Sequence, residues 1–96
     1  MGMPRYAART DENHAEVAKA FAALGYSVQD TSKVGGGFPD LVVGRYGVTW
    51  LVEIKADGGK LRPGQIKFFN DWRGTPPILI RNIADVLEFS DRQKVK

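Results

Sequence analysis

Phe38-Pro39-Asp40-Leu41-Val42-Val43 and Trp50-Leu51-Val52-Glu53-Ile54-Lys55-Ala56 are two apolar runs joined by Gly44-Arg45-Tyr46-Gly47-Val48-Thr49. Runs of this length, rich in β-branched residues, read as strands. Such runs normally alternate apolar and polar residues or stay apolar throughout. Here Asp40, Glu53 and Lys55 interrupt the ends that would lie side by side. Tyr46-Gly47 reads as a two-residue hairpin loop, because Gly47 accepts the positive φ such a loop needs. Arg45 then pairs with Val48, and counting outward sets Asp40 opposite Glu53. Directly opposed residues have Cβ atoms roughly 4.5–5.5 Å apart. Two carboxylates that close repel each other, and a bound cation reverses the sign of that interaction. Glu53 and Lys55, two apart, leave one face of the strand, while Ile54 points into a core with its carbonyl near the edge. Two carboxylates, a carbonyl and waters suit a hard divalent ion such as Mg²⁺. The register decides the reading. Tyr is not the favoured first residue of a type I′ loop, and a slip of one residue would carry Asp40 to the other face.

Working outward, Met1 to Arg9 reads as a basic arm. Thr10 or Asp11 caps a helix on which Val17, Ala20, Phe21 and Leu24 recur at helical spacing, until Gly25 stops it. Tyr26 to Asp30 is a short strand, and the glycine run 35–37 leads into the first acid-bearing strand. Pro63 sits at the first position of a second helix, where its missing N–H costs little, and Ile66, Phe69 and Trp72 form its apolar stripe. Pro76-Pro77 precedes a strand, Ile78 to Arg81. Asn82 caps a last helix, Ile83 to Phe89, and Ser90 to Lys96 is a polar tail. The order α-β-β-β-α-β-α gives a mixed α/β sheet flanked by helices.

A chain of 96 residues is expected to form one domain, residues 1–96. There is no cysteine, which excludes disulfides and thiolate metal sites, and one histidine, His14, which cannot build a histidine-rich site. His14 reads as a surface residue. No apolar run is long enough to span a bilayer and the first residues lack a signal-peptide core, so intracellular residence is the expectation. A net charge of +3 leans toward an anionic partner.

Pro39-Asp40 followed by Glu53-Ile54-Lys55 resembles the PD-(D/E)XK nuclease signature. The wider context, a helix bearing Glu16, then Gly36-Gly37-Phe38-Pro39-Asp40, then Leu61-Arg62-Pro63-Gly64-Gln65 after the lysine, resembles the VRR-NUC (virus-type replication-repair nuclease) domain in its small stand-alone phage form. The resemblance runs from about Asp11 to Phe89. Pro63-Gly64 departs from it, standing where small polar residues are expected.

The resemblance implies a restriction-endonuclease-like fold, with Asp40, Glu53 and the Ile54 main-chain carbonyl as ligands of Mg²⁺ or Mn²⁺. It implies that Lys55 orients or deprotonates the attacking water, that Gln65 reaches the site from the second helix to position that lysine or water, and that Glu16 adds a carboxylate. It also implies a homodimer acting on branched DNA, four-way junctions above all, and a host-cytoplasmic setting if the chain is phage-encoded. Lys33, Arg45, Lys60, Arg62 and Lys67 are the candidate phosphate contacts. Trp50, Phe68, Phe69 and Trp72 read as core or subunit interface rather than base-stacking platforms.

Each residue also has a plainer use. Asp40 can end a turn, Glu53 and Lys55 can be solvated strand positions, and Glu16 can be a surface residue favoured by the helix dipole. The largely apolar flanks of the hairpin argue against solvated positions, since burying acids without a partner is costly. Two rival readings are a non-catalytic nucleic-acid-binding module of the same fold, and an assembly protein using its aromatic surface. A flap, another structured DNA or an RNA is an alternative substrate.

Overall fold

The computed structural model describes the backbone of residues 5–94 and the side chains of residues 13–94. Its elements run α1 (Arg5–Ala23), β1 (Ser27–Asp30), β2 (Leu41–Arg45), β3 (Val48–Ile54), α2 (Pro63–Asp71), β4 (Ile78–Ile80) and α3 (Ile83–Gln93). This is the expected order. The four strands form one sheet, β1-β2-β3-β4. The first three are antiparallel neighbours, and β4 lies parallel to β3 with α2 in the crossover between them.

The hairpin takes the expected register, Arg45 with Val48 through to Leu41 with Val52. Tyr46 and Gly47 both have positive φ, 58° and 77°, which is the type I′ requirement. Tyr46 tolerates that conformation under the Arg45 guanidinium, 4.6 Å above its ring.

α1 and α3 cover one face of the sheet. Val17 and Phe21 from α1, Leu41, Val43, Trp50, Val52 and Ile80 from the sheet, and Val86 and Phe89 from α3 form the core. Phe21, Tyr26, Trp50 and Phe89 meet there at tilted or edge-to-face angles, the arrangement favoured by the ring quadrupole.

The three helices each differ from expectation in one respect. α1 starts at Arg5 rather than near Asp11, because Tyr6-Ala7-Ala8-Arg9 contains strong helix formers; residues 1–4 of the expected arm lie outside the described residues. α3 runs four residues past Phe89, because Ser90 is buried and its Oγ lies 3.4 Å from the Tyr26 hydroxyl; Val95 and Lys96 lie outside the described residues. α2 buries no residue at all. Its expected apolar stripe is open: Ile66 is 46% and Trp72 42% exposed.

Candidate active site

The site forms where β2 begins and β3 ends. In a regular strand a residue's N–H and C=O point to the same neighbour. Asp40 divides them: its N–H donates to the Val52 carbonyl (2.9 Å) and its carbonyl accepts from Thr31 N–H on the β1 side (2.8 Å). The ladder therefore stops at Leu41 and Asp40 is bulged out of it, a device that re-aims a side chain beside a site. The carboxylate then takes the place the backbone has vacated, with Oδ2 accepting from Ile54 N–H at 2.9 Å. By count Asp40 stands opposite Glu53 as expected; by bonding it is held by its side chain, not as a ladder partner.

Glu53 is 2% exposed. Its Oε2 accepts from Gln65 Nε2 at 2.9 Å and lies 4.0 Å from Lys55 Nζ. Its Oε1 is buried with no hydrogen-bond partner. Burial first, then the neighbouring Asp40 carboxyl, push the Glu53 pKa up to about 8; Lys55 and Arg62 only partly oppose this. A buried acceptor without a donor costs roughly 1–3 kcal/mol. An oxygen of that kind on a carboxyl beside a second one is what a cation would satisfy, so the donor set fits a divalent metal. Ile54 is within β3 and sends its N–H toward Asp40, so its carbonyl leaves on the same side, past the end of β2.

Gln65 reaches the site by a route set at the helix start. Pro63 opens α2 after Arg62. The Gln65 Oε1 accepts from Arg62 N–H at 2.8 Å, the backward half of a capping box. That leaves its amide nitrogen for Glu53, so its observed partner is the acid rather than the lysine or a water.

The other expected residues separate. Glu16 is not brought to the acids. It is exposed on α1, beside Lys19, Ile83 and Leu87 in the groove against α3. At 100° per residue it flanks the buried Val17 and Phe21 on the side of α3. Among the described residues no group of three or more His, Asp or Glu could hold a metal.

Arg45 is not free for phosphate. Its guanidinium donates to the Leu24 carbonyl and lies over the Tyr26 ring. Five residues of extended chain, roughly 16 Å, also separate it from Asp40. Arg62 lies near enough to Glu53 to act on its charge. Lys33 and Lys60 are exposed, and Lys67 is exposed and paired with Asp71 at 2.6 Å. His14 is half-buried rather than on the surface, with Nε2 3.5 Å from Asp30 Oδ2.

Two residues escaped the sequence reading. Thr31 clamps the bulge, with Oγ1 donating to the Pro39 carbonyl at 2.8 Å as its N–H bonds Asp40. Arg81 donates to the Ala56 carbonyl just past Lys55, at 2.8 Å. Both act through backbone, and no residue-type pattern signals that.

The VRR-NUC domain model matches residues 5–77. The chain belongs to the VRR-NUC domain family. A solved structure described as a VRR_NUC domain is 28% identical to it, with a TM-score of 0.69 over 86% of this chain and 95% of that one. No curated protein matches. The mixed sheet flanked by helices is thus a nuclease-type fold, and the acid pair sits on the VRR-NUC segment of this chain.

Proposed function

We propose that this VRR-NUC domain is a divalent-metal-dependent endonuclease that hydrolyses phosphodiester bonds in branched DNA, four-way junctions above all, as a homodimer. The observation that carries the reading is the unpartnered buried Oε1 of Glu53, on a carboxyl that neighbours Asp40 and Lys55.

Asp40, Glu53 and the Ile54 carbonyl would hold Mg²⁺ or Mn²⁺. Such an ion, when bound, acts as a Lewis acid on the phosphate and lowers the pKa of a water. The chain's own groups do the rest. The Asp40 bulge and the Gln65 amide fix the two carboxylates from opposite sides, so no reorganisation is needed when charge develops. Lys55 places an amine beside them, as proton acceptor for the attacking water or as partner for the growing negative charge on phosphate. Arg62, Lys33 and Lys60 supply positive charge along the approach.

One chain offers one acid pair. Paired cuts across a junction need two in opposed orientation, which a two-fold dimer supplies. Gel filtration with light scattering gives the expected dimer mass; a monomer removes that part of the proposal. The main test incubates labelled duplex, flap and four-way DNA with and without Mn²⁺, beside Asp40→Ala. Cation-dependent cutting that Asp40→Ala lacks is the expected result. Salt-sensitive binding with no cutting in Mn²⁺, or in Mg²⁺ put in its place, would instead identify a non-catalytic binding module.

A further inference from the structure

We propose that the cleft between the glycine loop and α2 is a stacking site for one nucleobase, so that this chain engages branched DNA through a nucleotide left unpaired at the branch point, close to the cut. The inference deepens the nuclease reading and rests on it for the identity of the ligand. Gly36, Gly64, Lys67, Phe68, Asp71 and Trp72 line an open cleft of about 280 Å³, smaller than the roughly 300–1,000 Å³ of sites for drug-sized ligands.

Its wall is aromatic. Trp72 stacks on Phe68 with ring centres 5.1 Å apart and planes 17° apart, and Phe68 meets Phe38 edge to face at 5.3 Å. The row therefore starts two residues before Asp40 and ends at an indole that is 42% exposed.

Gly64 is the second observation. It lies in the first turn of α2 and lacks the positive φ that would require glycine. A Cβ built there meets nothing within 4 Å. Neither a positive φ nor packing calls for glycine at this position. Its missing side chain leaves open the part of the cleft that it lines.

The rim distinguishes a base from a phosphate. Lys67 and Asp71 pair at 2.6 Å, so they present a donor and an acceptor but little net charge. A neutral ring with polar edges suits that surface; an anion does not.

The position suits the reaction. Gln65, Phe68 and Trp72 follow at i, i+3 and i+7, which places them on one helical face. Gln65 bonds Glu53, and Trp72 lies roughly 10 Å further along the axis, the rise of about three stacked nucleotides at roughly 3.4 Å each. A strand whose phosphate sits at the acids can lay a neighbouring base on the indole. Base–aromatic stacking tolerates any base.

The test measures binding in EDTA at one fixed salt concentration. The probes are a fully paired duplex and a flap of the same length carrying 2-aminopurine in its unpaired nucleotides. The parent is expected to bind the flap more tightly and to quench the probe. Trp72→Ala should weaken flap binding roughly 5- to 100-fold, the loss of one stacked base, and leave duplex binding unchanged. Trp72→Phe should restore most of it. Gly64→Ala, which fills the slot, should weaken flap binding while the melting temperature holds or rises. Equal affinity of parent and Trp72→Ala for the flap, or equal losses on flap and duplex, would overturn the proposal. So would conversion of a dimer to a monomer by either variant in light scattering, which would make the cleft a subunit contact. Selective flap binding without any cutting sinks the nuclease reading alone; cutting without selective binding sinks the stacking site alone.

Discussion

The two faces of the sheet follow opposite rules. The face under α1 and α3 is filled with Val17, Phe21, Trp50, Val52, Val86 and Phe89, and its buried hydroxyls, Tyr26 and Ser90, face each other. The other face holds two neighbouring carboxyls, a buried oxygen without a donor, and a helix that buries nothing. The first arrangement lowers the energy of the bare chain; the second raises it. Side chains that oppose folding persist where they do something else, and the family places a nuclease-type fold around them.

Substitution to alanine should separate the faces most sharply. Phe21→Ala removes a fully buried ring and is expected to cost about 3–5 kcal/mol, a large share of a small domain's roughly 5–15 kcal/mol. Asp40→Ala and Lys55→Ala should leave the circular dichroism near the parent's, Asp40→Ala with some loss in Tm because the Ile54 N–H loses its acceptor, while DNA cleavage falls by about 10²-fold or more. Full activity in either of the last two would remove both residues from the proposed machinery.

A gentler change inverts the usual outcome. Above about pH 8, where Glu53 has lost its proton, Glu53→Gln relieves the repulsion with Asp40 and offers that carboxylate an N–H donor. The metal-free protein should gain about 1–3 kcal/mol, the cost of the unsatisfied acceptor, or several degrees in Tm, and lose cleavage. A lower Tm would show that the acid pair is already accommodated in the bare fold.

The acid face should also make metal-free stability depend on pH. Glu53 holds its proton to about pH 8 in the folded chain, against an ordinary value of 4.5. Below 4.5 both states carry the proton and the group is neutral toward folding. Between these values the unfolded chain has released a proton that the folded chain retains, so rising pH favours unfolding. Thermal melts in EDTA should fall from about pH 5 to pH 8 and level beyond. Added Mn²⁺ competes with that proton, so its stabilising effect should be larger at pH 8 than at pH 6. A metal-free Tm that is flat across this window would contradict the raised pKa.

The filled face was legible because burial repeats with the period of each element: Val17 and Phe21 at helical spacing, Trp50, Val52 and Ile54 at alternate strand positions. The acid pair was legible because the loop Tyr46-Gly47 fixes a register that can be counted. Three things were not. The bulge at Asp40 depends on Thr31, nine residues upstream, through main-chain bonds. Arg45 carries the same charge as Arg62, and only the fold assigns one to Leu24 and the other to the neighbourhood of Glu53. The apolar residues of α2 have core-like spacing, and nothing in their sequence says that the sheet does not receive them.

Thr31 gives the smallest effect, and it tests whether the acid face is held as deliberately as the filled one. Thr31→Val removes the hydroxyl that donates to Pro39 and leaves the N–H that bonds Asp40. One hydrogen bond is worth a net 0.5–1.5 kcal/mol or so. If that energy holds the bulge, Mn²⁺ affinity should fall about 2- to 10-fold, with a comparable shift in the cation concentration that half-saturates cleavage. Thr31→Ser keeps the donor and should behave as the parent. A loss confined to Tm, with the cation titration unmoved, would mean that the hydroxyl merely closes a loop. A shifted titration with serine rescue would mean that the position of Asp40 is set from β1, so that the site spans three strands although its ligands come from two.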